Sequence, residues 1–260
     1  MDSTAHDPLA GLPWADRVNL VTTSDVRDWL RAGWGDVRAA GWVSVGHGMI
    51  FVATGFAITG GLVLAGLPYL VTPMIGGFLL VAPLLAMGFY DISRRIEAGE
   101  RPTFAGALLA WRPNSFHIMT AGLMLMLYLM IWARLAVLIF ALFFPYRTMS
   151  LDGFLAAAAS WDGAMFLGFG ALVGFGLAAL AFVITVVTLP LMLDQRTDVF
   201  SAAFASIMVV ARNPRPMALW AVVIAVLVFG AGLLGLVGLA VTLPLVGHAS
   251  WHAYRALLRS

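Results

Sequence analysis

The chain has no cysteine, no lysine and little charge of either sign. Without cysteine there is no disulfide, no thiolate metal site and no cysteine nucleophile. Charged residues make up only 11% of the 260, where a soluble domain carries about a quarter. All fifteen basic residues are arginine, the net charge is +2 and the arginines are scattered, so nucleic acid is not an expected partner. No strand precedes Gly168-Phe169-Gly170, which excludes a nucleotide-binding loop there. Serine and histidine occur without a nucleophile-elbow context, so nothing supports hydrolase chemistry.

What is present is apolar: 62% of the residues are hydrophobic. Several runs exceed the roughly 18 residues needed to span a bilayer. The expected fold class is all-α, a polytopic membrane protein of six transmembrane helices arranged as three hairpins. Residues 1–23 are polar and read as a mobile cytoplasmic tail, without the basic-then-apolar pattern of a cleaved signal peptide. Residues 24–260 form one integral membrane domain. Its spans are expected at about 42–65, 69–89, 116–144, 164–191, 214–231 and 233–254. Residues 217–247 carry no charge, and one straight helix over them would reach about 46 Å against a hydrocarbon core of about 30 Å. Gly230, Gly232 and Gly235 offer the turn that divides this run into two helices.

A short phrase recurs. Val187-Thr188-Leu189-Pro190-Leu191 and Val241-Thr242-Leu243-Pro244-Leu245 match, and Val81-Ala82-Pro83-Leu84-Leu85 is a looser copy. Each lies late in an apolar run that ends in polar chemistry. Each hairpin is preceded by a short amphipathic helix, expected to begin near Ser24, Thr103 and Asp198, in the cytoplasmic interface. In the first, Val26, Trp29, Leu30, Gly33, Trp34 and Val37 make one apolar face. Asp25, Arg27, Asp28, Arg31, Asp36 and Arg38 are assigned mostly to the other side. Trp29, Trp34, Trp111 and Trp251 are expected as interfacial anchors.

Six spans place thirteen of the fifteen arginines on one side, leaving Arg134 and Arg147. The positive-inside rule makes that side cytoplasmic, with both termini there, in a bacterial inner membrane.

Gly88-Phe89-Tyr90-Asp91-Ile92-Ser93-Arg94-Arg95, then Ala110-Trp111-Arg112, and finally Leu243 to Arg255 with its Gly-His-Ala-x-Trp-His-Ala-Tyr-Arg stretch resemble a bacterial family. That family consists of uncharacterised multi-pass inner-membrane proteins known by a domain-of-unknown-function label. The resemblance spans about residues 24–258. It implies a helical inner-membrane protein and supplies no catalytic residues.

The polar residues that merit attention are few. His47, His117, His248 and His252 fall near cytoplasmic ends of spans, and His248 and His252 share a helix face at i, i+4. Imidazoles on facing helices can hold haem or a metal, or bind backbone and head groups at the interface. Arg134 is the one charge within an apolar stretch, with Asp152 and Asp162 as candidate partners. Asp91 and Asp194 close the second and fourth spans beside Arg94, Arg95 and Arg196, and read as salt-bridged helix ends.

The leading functional reading is a non-catalytic structural, assembly or membrane-organising component. A carrier of a small or lipid-like solute comes second, and a haem- or metal-binding subunit of a respiratory complex third. No catalytic centre, cofactor or metal is expected. The expected partners are the lipid bilayer and either a membrane-protein partner or a second copy of the chain. Reporter fusions at Arg147 and at Ser260 should report opposite sides of the membrane; a periplasmic signal from Ser260 would reject the six-span arrangement.

Overall fold

In the computed structural model, residues 9, 11–67, 70, 71, 74, 77, 84–144, 160–233 and 236–259 are described. Among them the chain forms ten α-helices: α1 Asp25–Ala40, α2 Trp42–Leu64, α3 Met87–Glu97, α4 Phe104–Leu108, α5 Ser115–Phe143, α6 Trp161–Thr185, α7 Thr188–Gln195, α8 Val199–Arg212, α9 Pro214–Leu233 and α10 Leu239–Leu257. Four stretches are long and apolar enough to cross a membrane: Trp42–Leu64, Phe104–Phe143, Trp161–Gln195 and Pro214–Gly232. Most of the second expected span, 69–89, lies outside the described residues, as do residues 145–159 with Asp152 and the expected small helix over 151–159. Over the uncharged run 217–247, α9 ends at Leu233 and α10 begins at Leu239.

Local chemistry sets the helix starts. Thr103 caps α4, its hydroxyl accepting from Gly106 N, and the Asp198 carboxylate caps α8, accepting from Phe200 N and Ser201 N. Bonds from Ser201 hold the Asp198 carboxyl below the usual carboxylate range. Ser24, expected to cap α1, makes no such bond. Asp25 instead accepts from the Thr22 amide and hydroxyl at 2.6 and 2.8 Å, fixing the turn before the helix.

The two copies of the proline phrase behave differently. Pro190 has no N–H to give the Val186 carbonyl, and the helix expected over 164–191 breaks at Val186-Val187, between α6 and α7. The Thr188 hydroxyl donates back to the Ile184 carbonyl across the break and lies 3.2 Å from the Ala202 carbonyl of α8. Pro244 sits inside α10 without ending it. The carbonyl it leaves free, that of Ala240, faces Gly48 of α2, where a Cβ would fall 2.7 Å from Ala240 O. The glycine lets one backbone close on the other and bring a Cα–H to that oxygen.

The packing is cyclic. Grouped by their leading amphipathic helices, the elements form three units: α1–α3, α4–α7 and α8–α10. Each leading helix packs on the end of the unit before it: α4 on α3, α8 on α7, and α1 on α10. The head of each unit's first long helix grips the approach to the next unit. Asn114 donates to the Met192 and Thr197 carbonyls just before α8. Asn213 donates to Asn19 O and accepts from Val21 N just before α1. Trp42 stacks on Phe104 at the start of α4, with ring centroids 5.8 Å apart. The ring closes between the chain ends, where Val18 pairs antiparallel with Leu258, Asn19 N donates to Leu257 O, and Arg259 N to Arg17 O.

The unit ends α3, α7 and α10 also pack on one another. They bury Phe89, Tyr90, Leu191, Met192, Trp251 and Tyr254. The apolar face of α1, assigned to the membrane interface from sequence, lies against α10 instead. Trp29 is buried edge-on to Trp220 at 5.8 Å, and Trp34 on the flank stays exposed under Arg38. A Cβ on Gly33 would lie 2.6 Å from Ala249 N, whereas one on Gly35 would meet nothing within 4 Å. Gly33→Ala should therefore cost about 1–3 kcal/mol through overpacking. Gly35→Ala should stabilise by about 0.5–1 kcal/mol through lower chain entropy. Opposite shifts in thermal midpoint for the two variants are the expected outcome.

Candidate functional site

Where α1, α2, α3 and α10 meet, five polar side chains form one continuous chain of hydrogen bonds. The Ser93 hydroxyl of α3 donates to Asp36 Oδ2 of α1 at 2.6 Å. Ser93 Oγ also lies 2.8 Å from His248 Nδ1 of α10. His248 Nε2 lies 2.8 Å from Ser44 Oγ of α2. On the other side of Asp36, His252 Nε2 of α10 lies 2.8 Å from the same Oδ2. A hydroxyl has one proton. Because Ser93 spends it on Asp36, it accepts from His248, whose proton sits on Nδ1. Neutral His248 then accepts at Nε2 from the Ser44 hydroxyl. The dipoles all point towards the Asp36 carboxylate.

Asp36, Ser44, Ser93 and His248 are buried, Ser44, Ser93 and His248 completely. Ser44 and His248 have the spacing of a nucleophile and its base, but neither presents a face to a substrate. A buried network with its members satisfied rigidifies the helices that carry it.

A second cluster ties the unit ends together. Arg255 of α10 pairs with Glu97 of α3 at 3.1 Å and with Asp194 of α7 at 3.5 Å. Trp251 Nε1 donates to Glu97, and the Tyr254 hydroxyl to Asp194 at 2.7 Å. Asp194 thus bonds across helices to Tyr254 and Arg255, while its sequence neighbour Arg196 turns away in the left-handed region at φ 51°. Asp91 is the salt-bridged helix end expected of it, taking Arg94 at 2.6 Å and Arg95 at 2.7 Å.

The remaining expected residues disperse. His47 is buried edge-on to Phe89, its ring against Gly88, where a Cβ would lie 2.2 Å from Nε2. His117 packs on Phe116. Arg134 is exposed on α5, and its candidate partner Asp152 lies outside the described residues. Of the four tryptophans expected as interfacial anchors, Trp111 and Trp34 are exposed, while Trp29 and Trp251 are turned into the protein core. The structure thus joins His248 and His252 in one chain. It adds three residues the sequence reading passed over: Asp36, Ser44 and Ser93. One signal pointed to Asp36, which falls seven residues after Trp29 and three after Gly33 and so lies on the buried stripe. Ser44 and Ser93 carried no such mark.

Long apolar helices and a buried core of helix ends define a polytopic α-helical membrane protein. Residues 70–194 match a family model described as a predicted integral membrane protein domain, DUF2189. The match bears out the resemblance in the middle of the chain, including Gly88 to Arg95. The closing stretch around His248 and His252 lies beyond it. No curated protein and no solved structure matches the chain.

Ser93→Ala removes the donor to Asp36 and the acceptor for His248. It should cost about 1–3 kcal/mol for the buried groups left unpaired. Ser250→Ala, which loses only a bond to Val246 O within α10, should be nearly neutral. The two thermal midpoints, compared in the same detergent, check this.

Proposed function

We propose that the chain is a non-catalytic scaffold of the bacterial inner membrane that spans it six times, keeps both termini in the cytoplasm and holds partner helices in the bilayer. One observation carries this reading: the contrast between the two ends of the long helices. At one end, unit ends and amphipathic helices form a closed ring of buried side chains and interhelix bonds. Away from it the same helices make little use of each other. Only 11% of the apolar window of Phe104–Phe143 is buried, and 22% of that of Trp161–Gln195. α5 alone has 29 residues, about 43 Å of helix, and exposes Leu123, Leu127, Ile131 and Leu138. A fixed frame that leaves long apolar flanks open suits lateral association with other helices. The pairing of Val18 with Leu258 supports placing both termini on one side.

The test is photo-crosslinking in native membranes from probes at Leu127 and Phe169, with Leu20, outside the spans, as control. The expected result is a discrete protein adduct from one or both span positions, either a second copy of this chain or a different membrane protein. Adducts to lipid alone from both would overturn the scaffold reading.

A further inference from the structure

One face of α5 is already in use. Ile118, Ala121, Leu125 and Ile139 are buried. On that side the Tyr128 hydroxyl donates to Leu177 O of α6, and Trp132 lies against Gly174. The opposite face is open. It carries Leu123, Leu127, Met130, Arg134, Val137 and Ala141, all exposed, at alternating steps of four and three residues. That alternation is the heptad seam along which two helices interlock.

Arg134 stands in the seam. It is the only arginine of α5, which has no lysine and no carboxylate. Among the described residues no carboxylate pairs with it. A cation on a lipid-facing helix is costly unless it is paired. Asp162, one of its expected partners, is out of reach. α5 and α6 run antiparallel, with Tyr128 level with Leu177 and Phe140 with Phe166. Arg134 is therefore level with about residue 172, and Asp162 lies about 15 Å further along. A second copy in the same membrane carries its carboxylates at the same depths. Among the described residues none is level with Arg134, and two α5 seams placed face to face would bring the two Arg134 side chains together.

The length of α5 points to protein rather than lipid as the cover. From Ser115 to Arg134 is about 29 Å of helix, nearly the whole hydrocarbon core of about 30 Å. With the head of α5 at one face of the bilayer, where Asn114 binds Met192 O and Thr197 O, Arg134 emerges at the other. A lipid phosphate there could take its charge. Yet nine more residues follow Arg134 in α5, all apolar, about 13 Å of helix. Val137, Leu138 and Leu142 among them are exposed. Lipid tails end near Arg134 and leave this stretch uncovered. A helix lying along the seam covers it and can bring a counter-charge as well.

We infer that the open seam of α5 receives an apolar helix of a different membrane protein, and that an aspartate or glutamate on that helix pairs with Arg134. The inference rests on the scaffold reading and gives its partner a chemistry. The apolar positions supply contact area, and the ion pair sets the register. A slip of the partner by one turn would leave two unpaired charges among apolar side chains. Helices without a carboxylate at that level are rejected by the same charge.

The experiment is photo-crosslinking of the full-length chain in native membranes from a probe at Leu127, two turns before Arg134 on the same seam. It compares wild type with Arg134→Gln and Arg134→Lys. Arg134 is exposed, so both variants should fold with the wild-type thermal midpoint. Sequencing of the crosslinked peptide should find an apolar segment of another protein that carries an aspartate or glutamate. The adduct should fall by about tenfold or more in Arg134→Gln, as when a shielded ion pair loses one member, and persist in Arg134→Lys. Exchanging the charges, Arg134→Asp here and arginine for the partner's carboxylate, should restore it. The inference is overturned by an adduct unchanged in Arg134→Gln, by a crosslinked segment without a carboxylate, by an adduct to a second copy of this chain or to lipid alone, or by a charge exchange that restores nothing. A protein adduct at Phe169 would then leave the scaffold reading standing, whereas lipid alone from both positions removes both.

Discussion

The apolar face of a short amphipathic helix needs cover from water, and each one here is covered by the end of the unit before it. The constraint is local, but three such dockings in series become a closed ring once α1 reaches α10. Ring closure then places the chain ends. The segment before α1 must run beside the last turn of α10, where Asn19 donates to Leu257 O and, through its side chain, to Ala256 O. Residues 17–19 are thereby held beside residues 257–259.

The proline phrase shows how one sequence serves two structures. Proline removes a hydrogen bond from whatever helix holds it, and the outcome depends on what meets the abandoned carbonyl. At Pro244 a glycine of α2 closes on it and the helix continues. At Pro190 the Thr188 hydroxyl supplies bonds of its own, and the chain restarts as a separate helix against α8. That restart turns α7 into the ring of unit ends and puts Asp194 within reach of Tyr254 and Arg255.

Much of this was legible before any coordinates, and the limit is physical. Composition alone demanded a membrane protein. Thr103 and Asp198 announced their helices because an N-cap is a bond within four residues. The division of the uncharged run over 217–247 followed from length against bilayer thickness, and Asp91 from its arginine neighbours. What failed to show depends on partners distant in sequence. The face of α1 looked suited to lipid because an apolar stripe does not say what covers it, and its cover lies more than two hundred residues away. Asp36 was assigned to the polar side because it is an aspartate, although its position on the stripe argued otherwise. Asp194 was paired with Arg196 by adjacency, and the fold gave it to Arg255.

Asp36 is an awkward residue to place between α1 and α10, since an apolar side chain of similar size would avoid the desolvation cost. What it adds is register. Gly33 meets Ala249 and Asp36 meets His252, two contacts one turn apart that fix where α1 sits on α10. Sliding α1 by one turn would carry Gly33 off Ala249 and take the carboxylate from Ser93 and His252. Shape alone penalises the slip by a clash. The polar chain penalises it again, because Ser93 and His248 would each lose a partner at the same moment. Two independent penalties on one displacement give α1 a single seat at the joint that has no covalent link to hold it.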